Sequence, residues 1–359
     1  MNDRPPPNRR SRRWLIAVAA IGILFALSQV IVENFRDEEH SLRRQFRKSV
    51  EEWFPEQAAV VKGSYGLRPF KTNADPRAAD NSAPQVVVLI HGLDDPGKVW
   101  MNLAPALAAK GYRVWIMTYP NDQPLDESAR LFFTELKTLR EGTVEKIFLV
   151  AHSMGGLISR QMLTDPAIDY AEALENRQVP AVDLLVMVGT PNHGSEMARL
   201  RGFTEFRDQL ARIAEGEGHW LGAILDGAGE AKIDLLPDSR FLRALNARPH
   251  PSGVEMVVVA GIASPWDEDD IKTWIHALKD RYPQRGDPVV NSLEAMLLSM
   301  TRGLGDGLVT VDSARLAGVP LVMVSGTHLS MIRNTTAASP RIPPAVPVIL
   351  DHLENRYRR

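Results

Sequence analysis

The chain has 359 residues, 44% of them apolar, which is enough for one large α/β domain or two ordinary ones, and its 42 basic and 44 acidic residues leave a formal net charge of −2. That balance gives no basic footprint for nucleic acid. The absence of cysteine excludes disulfides, thiolate metal sites, a cysteine nucleophile and a lipidated amino-terminal cysteine.

In chain order, the first element is Trp14 to Val32, uncharged and mostly apolar, preceded by Arg4, Arg9, Arg10, Arg12 and Arg13. At about 1.5 Å per residue it is long enough to cross a bilayer as a helix. The arginine flank keeps the amino end in the cytoplasm, so the pattern predicts a signal anchor with the rest of the chain on the periplasmic or extracellular side. Two rivals involve export: a small-residue cleavage site at Ala26-Leu27-Ser28, and a twin-arginine signal at Ser11-Arg12-Arg13-Trp14-Leu15. Leu42, Phe46, Val50 and Trp53 then recur at helical spacing among charges, predicting an amphipathic helix, and Asn73 to Pro84 reads as a turn-forming linker.

From Val86 onward the chain alternates. Strands are predicted over Val86-Ile90, Tyr112-Thr118, Ile147-Val150, Leu184-Val188, Met256-Ala260 and Leu321-Val324, with helices over Val99-Ala109, Leu125-Arg140 and Gly156-Leu163, and a terminal helix around Val348-Leu353. Such alternation without two-residue hairpin turns implies crossover connections and a mostly parallel sheet with helices on both faces, whose ligands bind at the carboxyl ends of the strands. Two long gaps, about 192–251 and 263–304, open on that edge and are expected to form helical caps that govern substrate choice.

The central motif is Ala151-His152-Ser153-Met154-Gly155. An apolar strand runs straight into a helix-forming segment, so Ser153 is expected in a strained strand-to-helix turn, with small residues on either side to permit it. A serine hydroxyl needs a base and an oxyanion site. The second is suggested by the strand ending in His91-Gly92-Leu93, where the amide of Leu93 is expected to face the amide of Met154 at a helix amino terminus. His91 reads as a residue bracing that loop. Gly189-Thr190-Pro191-Asn192-His193-Gly194 reads as scaffold for the site floor, with His193 structural. No cluster of histidine and carboxylate residues has metal-ligand spacing, and Gly227-Ala228-Gly229 is too isolated to mark a nucleotide site, so neither metal nor cofactor is expected.

With these motifs in hand, the segment from Val86 to the carboxyl terminus resembles the α/β-hydrolases of the bacterial lipase and esterase type. The resemblance implies the chain order nucleophile, acid, histidine. Of nine histidines, His328 in Val324-Ser325-Gly326-Thr327-His328, just past a strand, then stands where the family's general base sits. Gly305-Asp306-Gly307-Leu308-Val309 is similar to the Gly-Asp-x-x-Val segment carrying the acid, which implies Asp306; Asp267, directly after the preceding strand, is the rival.

The expected organisation is a basic tail (1–13), a membrane anchor (14–32), an amphipathic helix with linker (33–84) and a catalytic α/β domain (85–359). The expected activity is cleavage of carboxylic esters through an acyl-enzyme on Ser153, with an acyl ester as substrate and lipid-like chains favoured by the tether and an apolar cap. An acyltransferase or thioesterase built on the same residues is the alternative within enzymes. A non-catalytic anchored interaction module is the alternative outside them, and a fluorophosphonate probe separates it from both.

Overall fold

A computed structural model describes residues 65–71, 85–93, 97–120, 123–195, 230–263, 268–281, 290–291, 294, 298, 303 and 305–357. The expected anchor, amphipathic helix and linker lie outside the described residues, as do Asp267 and residues 196–229 of the first insertion. Among the described residues no helix is long and apolar enough to cross a membrane.

Seven strands form one sheet: β1 (Gly66–Pro69), β2 (Val86–Ile90), β3 (Arg113–Thr118), β4 (Lys146–His152), β5 (Ala181–Val188), β6 (Glu255–Ile262) and β7 (Leu321–Ser325), in the order β1-β3-β2-β4-β5-β6-β7. All neighbours pair in parallel except β1 with β3. The central strands are unbroken apolar runs because both of their faces are covered. In β4, Ile147, Leu149 and Ala151 enter one core, while Phe148 and Val150 enter the other. The two-residue period of a strand thus divides a single apolar run between two helical layers.

One layer contains α2 (Leu125–Glu141), α3 (Met154–Thr164) and α4 (Tyr170–Glu175); the other contains α1 (Leu103–Ala109) and α9 (Ala345–Tyr357). Residues of α5 (Glu230–Asp234), α6 (Arg240–Asn246) and α8 (Val311–Ala314) join the first of these cores, and α7 (Glu268–Arg281) packs in a small cluster of its own with Val290. Helix α2 shows why such segments are helical. Leu125, Ala129, Phe132, Leu136 and Leu139 fall on one buried face, Asp126 and Glu127 sit in the first turn and Arg140 in the last, each matching the helix dipole. Each large side chain buried this way contributes about 1.5–3 kcal/mol.

The predicted strands are all present: β2 keeps its expected bounds, β3 begins one residue later than expected, at Arg113, and β4 to β7 are extended by up to three residues at an end. Two features differ from expectation. The helix expected over Val99-Ala109 is a 3-10 turn at Lys98–Trp100 followed by α1. Pro105 has no amide to donate to a preceding turn, so it fits only in the first turn of a helix, and α1 begins two residues before it. Strand β1 was not foreseen: Gly66–Pro69 is short and half exposed, and it is held by its antiparallel ladder with β3 and by the Leu67 amide, which donates to Glu135 at 2.8 Å.

The chain leaves β2 for β3 on one side and returns to β4 on the other, so the connections at the ends of β2 and β4 run in opposite directions. A crevice opens at such a reversal. The register levels the strand ends that border it, pairing Ile90 with Ala151 and His152 with Val188.

Candidate active site

Strand β4 ends at His152 and α3 begins at Met154, leaving half-buried Ser153 alone in the turn at φ 53°, ψ −125°. A non-glycine residue there carries about 1–3 kcal/mol of strain, which the surroundings must hold in place. The Ser153 amide donates to Val188 O at 2.8 Å. Three close approaches allow the turn. A Cβ on Gly155 would overlap the carbonyls of Ile90 and His91, one on Gly156 would overlap Thr190, and one on Gly92 would lie 2.6 Å from Ser153 Cβ. Small residues around this serine are therefore a packing requirement of the β2–β4–α3 crossing.

Beside the serine, His91 is fully buried, its Nδ1–H directed at Gly92 O (2.7 Å) and its ring stacked on Tyr119 with centroids 4.3 Å apart. The Tyr119 hydroxyl donates to His91 O, so the loop after β2 is held from within. Among the described residues, neither the Leu93 nor the Met154 amide donates a hydrogen bond.

Asp306 and His328, distant in sequence, meet at the ends of β6 and β7. His328 Nδ1–H donates to Asp306 Oδ2 at 2.7 Å and its main-chain amide donates to Asp306 O at 2.9 Å. A carboxylate oxygen only accepts, so Nδ1 carries a proton, and in the neutral ring Nε2 then holds the lone pair. The other carboxylate oxygen accepts from the amides of Leu308 (2.9 Å) and Val309 (2.8 Å). Gly305 at φ 51° and Gly307 at φ 88° shape the turn that delivers the carboxylate. Both side chains are buried, Asp306 at 2% exposure and His328 at 7%.

Gly189, which follows the Val188 carbonyl that holds Ser153, lies against this pair. A Cβ there would sit 2.5 Å from Met331 Cε, 3.1 Å from Asp306 Oδ2 and 3.2 Å from His328 Cε1. The strand ends thus bring Ser153, Asp306 and His328 to one edge of the sheet.

Two features of this edge had no signal in the sequence. His152, in the serine motif, is buried with Nε2 2.9 Å from His328 O and its ring 4.7 Å from the His328 ring. Burial first, then the nearby His328, hold its pKa well below the ordinary imidazole value. The second is a polar cluster along α3. Buried Arg160 donates to Asn192 Oδ1 and Asn246 Oδ1, both at 2.9 Å, while Asn192 Nδ2 donates to Ala314 O at 2.7 Å. Burial, with Arg248 nearby, lowers the Arg160 pKa to about 10. His193 Nε2 lies 3.1 Å from Arg315 O, a scaffold contact. Among the described residues no group of three or more His, Cys, Asp or Glu is placed to hold a metal ion.

Solved structures similar to the chain include a lipase of Bacillus licheniformis in mature form (18% identity, 80% of this chain and 97% of that one, TM-score 0.49). Others are a phospholipase of Legionella pneumophila (16%, 77% and 62%, TM-score 0.47) and a structure from a study of carboxylesterases of the thaumarchaeon Nitrososphaera gargenis (15%, 82% and 97%, TM-score 0.40). No curated protein gives a significant match. A family model described as the alpha/beta hydrolase family matches residues 87–346, a span that runs from β2 into α9 and takes in the serine turn and the His328–Asp306 pair, and the chain belongs to that family.

Proposed function

We propose that this protein is a serine hydrolase that cleaves carboxylic esters through an acyl-enzyme, tethered to the membrane by Trp14 to Val32 with its catalytic domain on the far side from the cytoplasm. The observation that carries the chemistry is the Asp306–His328 hydrogen bond, which in the neutral ring leaves the lone pair on Nε2, on the edge where Ser153 stands in its strained turn. Ser153 Oγ attacks the acyl carbon as His328 Nε2 takes its proton. The carbonyl oxygen becomes an oxyanion, and the amides of Leu93 and Met154, which donate no bond among the described residues, are the donors for it. Collapse breaks the acyl–oxygen bond, and the leaving alcohol receives the proton from Nε2. Water, deprotonated by the same nitrogen, then attacks the acyl carbon, the bond to Ser153 Oγ breaks as Oγ takes the proton back from Nε2, and the acid leaves. Asp306 accepts from Nδ1–H throughout and stabilises the imidazolium.

The test is ester hydrolysis across a series of acyl lengths, run beside Ser153→Ala. The substitution lowers kcat by about 10⁴-fold or more and abolishes fluorophosphonate labelling, with the fold intact. Activity that survives it overturns the mechanism. Longer acyl chains are the preferred substrates if the insertions form the apolar cap. Cell fractionation checks the tether: the full chain belongs with the membranes, and a soluble product beginning near Gln29 overturns that part.

A further inference from the structure

We infer that His152 is a positioning residue: its Nε2–H, donated to the main-chain carbonyl of His328, sets the distance between base and nucleophile. The inference rests on the proposed roles of Ser153 and His328 and adds a third element to them.

The bonds that hold His328 separate by function. Its amide and its Nδ1 both go to Asp306, so they orient base against acid and say nothing about where the serine is. From Gly326 to Ile332, the hydrogen bond that reaches the strand carrying the serine, among the described residues, is the one from His152 to His328 O at 2.9 Å. His152 is bonded covalently to Ser153 and is the last residue of β4, paired with Val188 in the sheet. A rigid ring therefore links the nucleophile's own backbone to the base's own carbonyl.

The chemistry of the ring agrees. A carbonyl accepts only, so the proton must be on Nε2 and Nδ1 must be a bare acceptor. That Nδ1 is buried and has no hydrogen-bond partner among the described residues. An unmet buried acceptor destabilises, and among the described residues the bond to His328 O is the hydrogen bond that the imidazole makes. Burial, then the nearby His328, His91 and Arg333, all cationic when charged, lower the His152 pKa and outweigh the bond to the His328 carbonyl, which acts the other way, so the ring is kept neutral. A neutral ring 4.7 Å from the base neither competes for the serine proton nor repels the imidazolium that forms.

The test compares two amides. In His152→Gln the side-chain NH₂ reaches about as far as Nε2, whereas in His152→Asn it stops at about the position of Nδ1. The expected result is a kcat for His152→Asn about 10–100-fold below wild type with KM unchanged, the loss typical of reacting groups displaced by about 1 Å, and restoration to within about threefold in His152→Gln. Melting temperatures check that both fold. If the asparagine variant does not, His152→Met, apolar and of full length but without a donor, takes its place with the same expected loss. A kcat for the donor-less variant equal to wild type, or equal losses in the glutamine and donor-less variants, overturns the inference. If either occurs while Ser153→Ala is inactive, the proposed mechanism stands without it; activity surviving Ser153→Ala overturns both.

Discussion

Two buried polar clusters border helix α3, one at its amino end and one along its body, and they use their hydrogen-bonding capacity differently. Along the body, Asn192 spends its side-chain oxygen on Arg160, its side-chain nitrogen on Ala314 O and its main-chain carbonyl on Asn246. That cluster ties α3 to the loop after β5, to α6 and to α8, and it surrounds a guanidinium with neutral amides. At the amino end, the amides of Leu93 and Met154 donate no bond among the described residues, and His152 Nδ1 has no partner. Satisfied groups hold a scaffold together, while unspent donors beside a strained serine are available to a reacting substrate.

The sharpest way to break this contrast is Asp306→Asn. Oδ1 is committed to the amides of Leu308 and Val309, so the new amide keeps its oxygen there and turns its nitrogen toward His328 Nδ1. Two donors then face each other unless the imidazole moves its proton to Nε2, where it cannot act as base. The expected loss in kcat is about 10³–10⁴-fold with little change in melting temperature, while Asp267→Asn stays near wild type. The reverse pattern would transfer the acid role to Asp267.

Arg160→Met tests the other cluster. Removing the guanidinium leaves the side-chain oxygens of Asn192 and Asn246 without their donor, for a loss of about 1–3 kcal/mol in urea unfolding. Activity per folded molecule should remain within about threefold. A variant of normal stability but low kcat would show that this cluster also serves the reaction.

The smallest effect is in pH. Unfolded His152 takes a proton near its ordinary value of 6.5, whereas the folded residue takes one only well below it. Between the two values the unfolded chain binds more protons, so stability falls as pH drops through that window, by up to about 1.4 kcal/mol per pH unit. His152→Gln, lacking the titrating ring, should have a shallower acid slope in pH-dependent melting; an unchanged slope would mean that the ring titrates in the folded chain as it does in the unfolded one.

Much of this architecture was legible in the sequence because it is written in local patterns. The apolar runs of β2, β4, β5 and β6 and the 3.6-residue face of α2 are visible within windows of a few residues. Ser153 was readable as a strand-to-helix turn, whereas Asp306 and His328 were picked out by the resemblance of their glycine turns to those of the family, with Asp267 as the rival acid. Strand β1 was not, because four partly exposed residues carry no periodicity and their pairing belongs to β3. Nor was the need for Gly189, whose missing side chain leaves room for Met331, Asp306 and His328 arriving from much later in the chain.

By itself the sequence determined the alternation of strands and helices, the two-sided burial of the sheet and the placing of Ser153 in a strained turn, since each depends on neighbours along the chain. The tertiary structure decided that Asp306 Oδ2 receives the His328 proton donor, that the amides of Leu93 and Met154 donate no bond among the described residues, and that His152 reaches the carbonyl of His328 across 176 residues. Those contacts depend on the register of β4 through β7, and register is set by the packing of whole strands rather than by any short stretch of sequence.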